Sequence, residues 1–477
     1  MSLPPVAWAL AAWSGALLGA CQIDLGPVAW ISLAPLAVAC HGRSGRQGAG
    51  LGFVSGAVSG SAFYGLLPYG TTLYVLMLVY CGLNMAVFGA LSARISSRVG
   101  TWGRVFLPAL AWTGLEYGRR FGPVSFPIML GPTQPDLLPL WQIAAWTGGH
   151  GVSFVVALPS GLALAWFADR RPPAIPASAV AMLVATVWGV GAARMAEPLP
   201  EEGAVRVAGV QPALDNWIFR VSPVSDRHDK SVRRHLLTLT EQALASGAKL
   251  VVWPETVIQR PIFRTPAVRD AVQALADRHG ASILVGAVRE GETARLHNSA
   301  VVFRPHSPAV WQDKVRLAGY SEARMTPGEE RRALQTLVGK IGVMICLESV
   351  YPQDARRLVE TGAEILVTTT DDAGFRKSPI AEFHVRRAAM RSIETGRWGI
   401  HVSQAGPSSI TDPHGRTVAR LGFWEEGVVA AEVRRVGLKT PYQTTGDAFS
   451  WAVLAVLASL TRATSGARVR APQKSAT

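Results

Sequence analysis

GKIGVMICLESVYP, residues 339–352, begins with an apolar run that predicts a β-strand. One cysteine, Cys346, lies at the end of this run, where a polar turn begins. The other three cysteines, Cys21, Cys40 and Cys81, lie in apolar N-terminal segments, so Cys346 has no disulfide partner in the more polar part of the chain. A thiol at the end of a strand can be activated by a neighbouring acid or base. Cys346 is therefore a candidate nucleophile. The alternative is a buried core cysteine, the commoner fate of a single thiol, and partners elsewhere in the chain must decide between the two.

The composition indicates a membrane protein. The chain has 477 residues, of which 49% are hydrophobic and 17% charged, and its mean hydropathy is +0.22. An ordinary soluble protein of this length is less apolar and carries more charge. The formal net charge of +14 is typical of basic residues that flank membrane spans and meet anionic lipid, and this reading is preferred to nucleic-acid binding. The first apolar run has no basic residues before it and no clear cleavage site, so no cleavable signal peptide is expected.

Apolar runs divide the chain into three parts. A helix needs roughly 20 residues to cross a bilayer. Residues 1–196 are predicted to hold about seven spans, residues 197–446 a catalytic domain, and residues 447–477 a last helix with a basic tail. The predicted spans cover residues 4–21, 25–41, 50–68, 71–92, 102–118, 140–168 and 174–193, with a shorter eighth at 447–461.

Basic residues predict the orientation of these spans, because Lys and Arg are enriched in cytoplasmic loops. Eight spans with both termini in the cytoplasm place the large domain outside the cytoplasm. For a bacterial protein, this means that the chain spans the inner membrane and that the large domain lies in the periplasm. That compartment is oxidising, so a single thiol there is expected to be kept for chemistry. The basic residues follow the even-numbered spans: Arg43, Arg46, Arg94, Arg98, Arg104, Arg170, Arg171, Arg462, Arg468, Arg470 and Lys474.

Charged residues also occur at the outer end of the fifth span, where Glu116, Arg119 and Arg120 precede a segment interrupted by Pro and Gly. Charges at this depth are functional candidates. An interfacial arginine pair is also a common anchor for lipid head groups, and both interpretations stay open.

Strand-like and helix-like segments alternate through the catalytic domain, which predicts a layered α/β fold. Strands are expected near 204–212, 249–253, 282–288, 298–304, 309–317, 339–346, 364–370, 399–404 and 428–433, and helices near 231–246, 266–279, 353–360 and 380–396.

Three of the predicted strands carry or end in reactive groups: Glu255 after Trp253-Pro254, Lys314, and Cys346. Together they form a self-consistent acyl-transfer site, in which Glu255 is the general base. Lys314 stabilises the thiolate and the oxyanion of the intermediate, and the backbone N–H of Leu347 is a second oxyanion donor. Taken singly, Glu255 reads as a turn residue and Lys314 as a solvated lysine on a half-exposed strand.

In this order the residues resemble the Glu-Lys-Cys signature of the nitrilase, or carbon-nitrogen hydrolase, superfamily, and the membrane spans narrow the resemblance to apolipoprotein N-acyltransferases. The resemblance runs almost end to end. Its motifs are Glu116 to Arg120, Phe126-Pro127, Leu130-Gly131, Gln142, residues 148–154, Gln211-Pro212, Asn216-Trp217, Asn298-Ser299, Lys314 with Glu322, residues 345–348, residues 440–442 and Gly446.

The resemblance implies an αββα sandwich facing the periplasm, with Glu255, Lys314 and Cys346 as the catalytic triad. Glu322 and Glu348 support the lysine and the site's electrostatics, and the motif residues Trp217 and Asn298 are further site candidates. The implied reaction moves an acyl chain from a phospholipid, typically phosphatidylethanolamine, through a Cys346 thioester to the α-amino group of a lipoprotein's diacylglyceryl cysteine. No cofactor or nucleic acid is implied, and the protein is expected to be a monomer.

Some positions depart from the family pattern, namely Ala318-Gly319, Leu347 after the nucleophile, Gly374, and the turn from His401 to Gly406. They leave the triad intact and affect the expected lid and lipid pocket. The histidines, such as His228, His235, His297 and His384, lack the spacing of metal ligands, so no metal site is predicted.

Three alternatives to this function stay open. A membrane-anchored amidase or nitrilase-like hydrolase would use the same thioester with water as acceptor. A non-catalytic homologue would bind lipoproteins without turnover. A transporter is the third, but no inverted repeat is visible and transporters seldom carry so large a domain between spans.

Overall fold

The computed structural model describes residues 3–122, 129–199, 203–215, 217–218, 224–435 and 438–465. The motif residues Phe126, Pro127 and Asn216 lie outside these ranges, as does the basic tail with Arg468, Arg470 and Lys474.

Helices form the N-terminal part. Among the described residues, four helical segments are long and apolar enough to cross a membrane: 45–69, 71–95, 149–169 and 174–196. Shorter apolar helical segments cover 26–40 and 448–464. These segments confirm an apolar helical region of the kind that membranes require, and the count of eight spans stays a prediction. The helices are α1 Pro5–Gln22, α2 Ala34–Cys40, α3 Gly45–Gly60, α4 Thr71–Ile95, α5 Thr101–Gly118, α6 Leu138–Trp141, α7 Ala144–Thr147, α8 Gly149–Asp169 and α9 Ala174–Ala196.

The run 140–168, predicted as one span, is divided between α6, α7 and α8. The break between α7 and α8 falls at Gly148, which has a φ of +68°. A Cβ at Gly148 would lie 2.8 Å from the ring of Tyr442. A glycine is needed here both for the left-handed turn and for the close approach of this ring.

In the described residues from 203 to 435, two six-stranded sheets form an α/β domain, and their orders are β12-β1-β2-β3-β4-β5 and β11-β10-β9-β8-β7-β6. In each sheet three parallel strands form the centre, β1-β2-β3 and β7-β8-β9, and antiparallel strands flank them. The strands are β1 Ala204–Gln211, β2 Leu250–Val252, β3 Ser282–Glu290, β4 Leu296–Arg304, β5 Ser307–Asp313, β6 Leu334–Thr336, β7 Gly339–Ile345, β8 Ile365–Thr370, β9 Trp398–Ser403, β10 Ser408–Thr411, β11 Thr417–Leu421 and β12 Gly427–Arg434.

The sheets face each other across a shared apolar core that includes Val252, Leu284, Val343, Ile345 and Val367. Helices cover the outer faces, with α10 Asp226–Ala245 and α11 Pro266–His279 on the first sheet and α12 Pro352–Glu360 and α13 Pro379–Thr395 on the second. After β12 follow α14 Pro441–Thr445 and α15 Ala448–Ser465. This is the four-layer sandwich that the resemblance implies, and apolar side chains on both faces of the central strands stabilise it.

Helix α13 joins the sandwich to the membrane-type helices. Its Glu394 accepts a hydrogen bond of 2.8 Å from the backbone N–H of Gly149, at the start of α8. Near the middle of the helix, Arg386 forms an ion pair with Asp24. Gln142 of the helical part donates to the carbonyl of His414 in the sandwich at 2.8 Å. The catalytic domain therefore packs directly against the helices.

Candidate active site

Cys346 is the first residue after β7 and begins a 3-10 helix, Cys346–Val350. Its φ is +51°, which is a strained conformation for a residue with a side chain. The hydrogen bonds that hold this turn include two of 2.9 Å: the Ile345 N–H donates to Glu348 Oε2, and His384 Nε2 donates to the Cys346 carbonyl. The thiol is half-buried, so the sharp turn presents it at the end of the strand, as the sequence predicted.

Glu255 follows β2 and is buried, with 5% of its surface exposed. The backbone N–H of Asp371, just after β8, donates to its Oε2 at 3.0 Å. Gln404 Nε2 donates to its backbone carbonyl at 3.1 Å. A Cβ at Gly286 would lie only 1.9 Å from the Pro254 carbonyl, so β3 needs glycine there for the Glu255 turn to pack. The ends of β2 and β8 thus meet at one edge of the sandwich.

Lys314 lies between two carboxylates. The strand β5 ends at Asp313, one residue earlier than the lysine, and only 1% of Lys314 is exposed. The alternative of a solvated strand lysine is therefore wrong. Lys314 Nζ lies 2.8 Å from Glu255 Oε1 and 2.9 Å from Glu322 Oε2. Asn298 Nδ2 donates to both carboxylates, at 2.7 and 2.6 Å, so it closes a four-residue network.

The charges of this network determine the state of the thiol. Burial alone would lower the pKa of Lys314, but Glu255, Cys346 and Glu322 raise it well above its usual range, so the lysine is a permanent cation. Burial raises the pKa of the Cys346 thiol well above its usual value, Glu255 raises it further, and Lys314 lowers it. The resting thiol is therefore protonated, so it could act as a nucleophile only with a base beside it.

Glu348 links the nucleophile turn to the loop of Lys314. Besides the Ile345 N–H, its carboxylate accepts the N–H groups of Val315 at 2.8 Å and Arg316 at 3.1 Å. Arg331 forms an ion pair with it at 3.1 Å. Burial raises the pKa of Glu348, and Arg331 opposes that rise. Glu348 thus positions the backbone on both sides of the site.

A second buried network lies beneath Cys346. His384 Nδ1 is 3.0 Å from Asp372 Oδ1, and His401 Nε2 is 3.7 Å from Asp372 Oδ2. Burial lowers the pKa of His384, but Asp372 and the Cys346 carbonyl outweigh burial and raise it. Both ring nitrogens of His384 therefore donate, one to Asp372 and one to the nucleophile's carbonyl.

The same three side chains offer potential metal-ligand atoms within 4.8 Å of one another. No sign of this cluster is visible in the sequence, because its members come from β9, α13 and the loop after β8 and therefore show no metal-ligand spacing. Since both His384 ring nitrogens already have hydrogen-bond partners, the arrangement fits an ion pair better than a metal site.

Replacing His384 with alanine is expected to slow acylation of Cys346 roughly tenfold to a hundredfold, because a charge-assisted hydrogen bond that positions the nucleophile is lost. The KM for the acyl donor should stay unchanged. His384→Gln keeps a donor for the Cys346 carbonyl and should recover part of the rate. His306→Ala is the matched control, since that side chain is 79% exposed. Single-turnover kinetics would measure the rate, and a change in KM alone would contradict a positioning role.

The other predicted site residues are placed as follows. Leu347 is the second residue of the 3-10 helix, so its N–H belongs to the first turn, where helices lack internal acceptors. Trp217 is 52% exposed, and its ring contacts His228 edge-on, with a centroid distance of 5.5 Å. Nothing among these contacts joins Trp217 to the triad. Sequence reasoning missed Gln404 and Asp372, and dismissed His384, because none of them carries a spacing signal.

Two family models match the chain in tandem. The model described as the apolipoprotein N-acyltransferase N-terminal domain covers residues 11–162, and the model described as carbon-nitrogen hydrolase covers residues 206–440. The boundary between them falls between the helical part and the sandwich. The two models therefore account for both halves of the architecture.

Curated relatives match over nearly the whole length. An apolipoprotein N-acyltransferase of Geobacter metallireducens is 31% identical, covering 95% of this chain and 94% of the relative. An apolipoprotein N-acyltransferase of Pseudomonas putida is 28% identical, covering 91% of this chain and 92% of the relative. Among solved structures, a Saccharomyces cerevisiae member of branch 10 of the nitrilase superfamily is 21% identical, with a TM-score of 0.40, covering 56% of this chain and 96% of that one.

Proposed function

The chain belongs to the apolipoprotein N-acyltransferase family, and on that premise we propose that it completes lipoprotein maturation through a thioester on Cys346. A membrane phospholipid, with phosphatidylethanolamine the expected choice, donates the acyl chain. The diacylglyceryl cysteine of a lipoprotein accepts it on its α-amino group. The observation that carries this proposal is the buried Lys314 ammonium between Glu255 and Glu322, at the edge of the sandwich where the Cys346 turn presents its thiol.

In the first half-reaction Cys346 attacks the ester carbonyl of the phospholipid. Glu255 takes the thiol proton as the S–C bond forms, because the raised pKa of Cys346 leaves the thiol protonated at rest. When the tetrahedral intermediate collapses, Glu255 returns that proton to the leaving alkoxide. The lysophospholipid departs, and the acyl chain stays on Cys346 as a thioester.

In the second half-reaction the free α-amino group of the lipoprotein attacks the thioester. Glu255 takes one proton from the attacking nitrogen. The C–S bond breaks as the amide forms, and Glu255 gives the proton to the departing sulfur, which restores the thiol. The enzyme ends in its starting state with a ping-pong order of substrates.

Two groups stabilise the oxyanion of both intermediates. The Lys314 ammonium is a fixed cation in a buried site, where its charge acts more strongly than in water. The N–H of Leu347 is the second donor. Glu322 and Asn298 hold Lys314 and Glu255 in place, and Glu348 aligns the backbone around them.

The proposal includes a membrane topology. Eight spans with both termini in the cytoplasm place the sandwich in the periplasm, above the inner membrane, and the protein acts as a monomer. Both substrates are lipid-anchored, so a site held against the bilayer meets them at high effective concentration. The apolar helices that pack against α13 support this placement.

The product of the purified protein tests the proposal. With phosphatidylethanolamine and a diacylated lipopeptide, we expect N-acyl peptide and lysophospholipid in equal amounts, measured by mass spectrometry. Free fatty acid without N-acyl peptide would identify a hydrolase. Absence of any acyl adduct on Cys346 in folded, lipid-supplied protein would identify a binding homologue.

A further inference from the structure

A cleft opens between the end of α5 and the segment that follows the nucleophile turn. Arg119 and Arg120 line it from the helical part, and Tyr351, Gln353 and Arg387 line it from the sandwich. The space between its atoms totals about 460 Å³, including the part open to solvent. None of these residues belongs to the triad, and the mechanism above does not use the cleft.

Arg387, on α13, is the unusual group in this cleft. Only 2% of its surface is exposed, and across the described parts of the chain Nε, Nη1 and Nη2 all lack a hydrogen-bond partner. One turn further along α13, Arg391 is equally buried but forms an ion pair with Glu394 at 2.8 Å. A guanidinium stays charged in proteins, and burying it without an acceptor is costly. Arg387 therefore has the character of a binding group.

The surrounding charges favour an anion. Of the two carboxylates that line the cleft, Asp447 already forms an ion pair with Arg120. Glu116 accepts hydrogen bonds from the Leu130 N–H and from the Trp112 indole.

The charges around Arg387 also affect its pKa. Burial lowers the pKa of Arg387, and the guanidinium groups of Arg391 and Arg119 lower it further, while Glu116 opposes them. With Asp447 neutralised, two guanidinium groups face one carboxylate, which leaves an excess of positive charge.

The cleft lies close to the reacting thiol. His384, which donates to the Cys346 carbonyl, precedes Arg387 by three residues, so both occupy one face of α13 about 5 Å apart along its axis. Val350, which lines the cleft, is the last residue of the 3-10 helix that begins at Cys346. The two residues are therefore roughly 8 Å apart along the helix axis. An anion at Arg387 and an ester at Cys346 can therefore belong to one lipid molecule.

We propose that this cleft is a phosphate subsite, in which Arg387 binds the phosphate of the phospholipid that donates the acyl chain. The planar guanidinium donates through two parallel N–H groups and matches a phosphate better than an ammonium does. The shared chemistry is a phosphate anion, and the head group of the lipid donor is its source. This inference rests on the proposed function, because it assigns a site for the first substrate.

Replacing Arg387 with methionine tests the subsite. The KM for phosphatidylethanolamine in mixed micelles should rise about tenfold to a hundredfold, the range expected when a charge-assisted hydrogen bond is lost. Acylation of Cys346 at saturating lipid should stay within a few fold of wild type. With an uncharged, phosphate-free ester such as p-nitrophenyl octanoate, Arg387→Met and wild type should react alike. With phosphatidylethanolamine, the KM of Arg387→Lys should lie between those of wild type and Arg387→Met, because lysine keeps the charge but lacks the two parallel N–H groups.

Controls separate the possible failures. Arg357→Met makes the same change at a side chain that is 63% exposed, and should leave both donors unaffected. The Tm of Arg387→Met should not fall, because an unpaired buried charge is replaced by an apolar group. A lower Tm, or equal losses with both donors, would show a structural role and overturn the subsite.

The source of the phosphate is tested separately. If inorganic phosphate alters the wild-type rate with the phosphate-free ester, Arg387→Met removes that effect, and the KM for the phospholipid does not change, then the cleft binds free phosphate and the lipid assignment is wrong. Failure of wild-type Cys346 to form any acyl adduct would instead refute the proposed function, whatever Arg387 does.

Discussion

Replacing Cys346 with alanine is expected to reduce N-acylation to less than about one-thousandth, since removal of a covalent nucleophile typically costs on the order of 10⁶ in kcat. The thiol is half-buried, and the turn is held by hydrogen bonds to its backbone. Stability should therefore change by less than about 1 kcal/mol, as is usual for a small change outside the packed core.

Intact-mass spectrometry after incubation with phosphatidylethanolamine checks this expectation. Wild type should gain the mass of one acyl chain, and Cys346→Ala should gain none. Cys40→Ala removes a thiol from the helical part, where Cys40 is fully buried, and should still form the adduct. Near-normal turnover in Cys346→Ala, or an adduct at another residue, would refute the thioester mechanism.

Replacing Glu255 with glutamine should slow acylation of Cys346 by about 10² to 10⁴, the range expected for loss of a general base. Glutamine has nearly the shape of glutamate but cannot accept the thiol proton. The raised pKa of Cys346 makes this loss severe, because without a base almost no thiolate forms near neutral pH. Single-turnover measurement of thioester formation would give the rate.

Glu322→Gln is the matched control for this experiment. Glu255 and Glu322 both contact Lys314 and both accept from Asn298, so each substitution removes one carboxylate from the same network. Their effects on stability should be similar, and the Glu322 variant should lose only about tenfold in rate, as expected for a group that acts through the lysine. Equal rate losses in the two variants would show that Glu255 acts only as a partner of Lys314.

The fold was largely predictable because its signals are local. The apolar run before Cys346 predicted β7, and the alternation of strands and helices predicted a layered domain. Short strands with weaker patterns, such as β6, β10 and β11, were missed, since their residues are held by pairing with neighbours rather than by their own propensity. The predicted span at 140–168 is broken between α7 and α8 at Gly148, which packs against Tyr442, almost 300 residues away in the chain.

The site was predictable where each residue follows a strand. Glu255 and Cys346 were predicted this way, since β2 and β7, which belong to the two facing sheets, end at the same edge of the sandwich. The environment of Lys314 was not predictable from the sequence, because its burial depends on Glu255, Glu322 and Asn298, which come from separate segments. The departures from the family pattern at residues 401–406 acquire a role only in three dimensions, where His401 faces Asp372 and Gln404 contacts Glu255.

The sequence by itself indicated the membrane character and the α/β class, and it predicted an order of domains and a candidate nucleophile, base and cation, because composition, periodicity and strand ends are local features of the chain. Only the tertiary structure decided which charges neutralise each other. It placed Lys314 between two carboxylates, put the Asp372 and His384 pair beneath Cys346, and left the guanidinium of Arg387 buried with no hydrogen-bond partner among the described residues. The physical reason is that the energy of a charge depends on its burial and on neighbours distant in sequence, which no local pattern specifies.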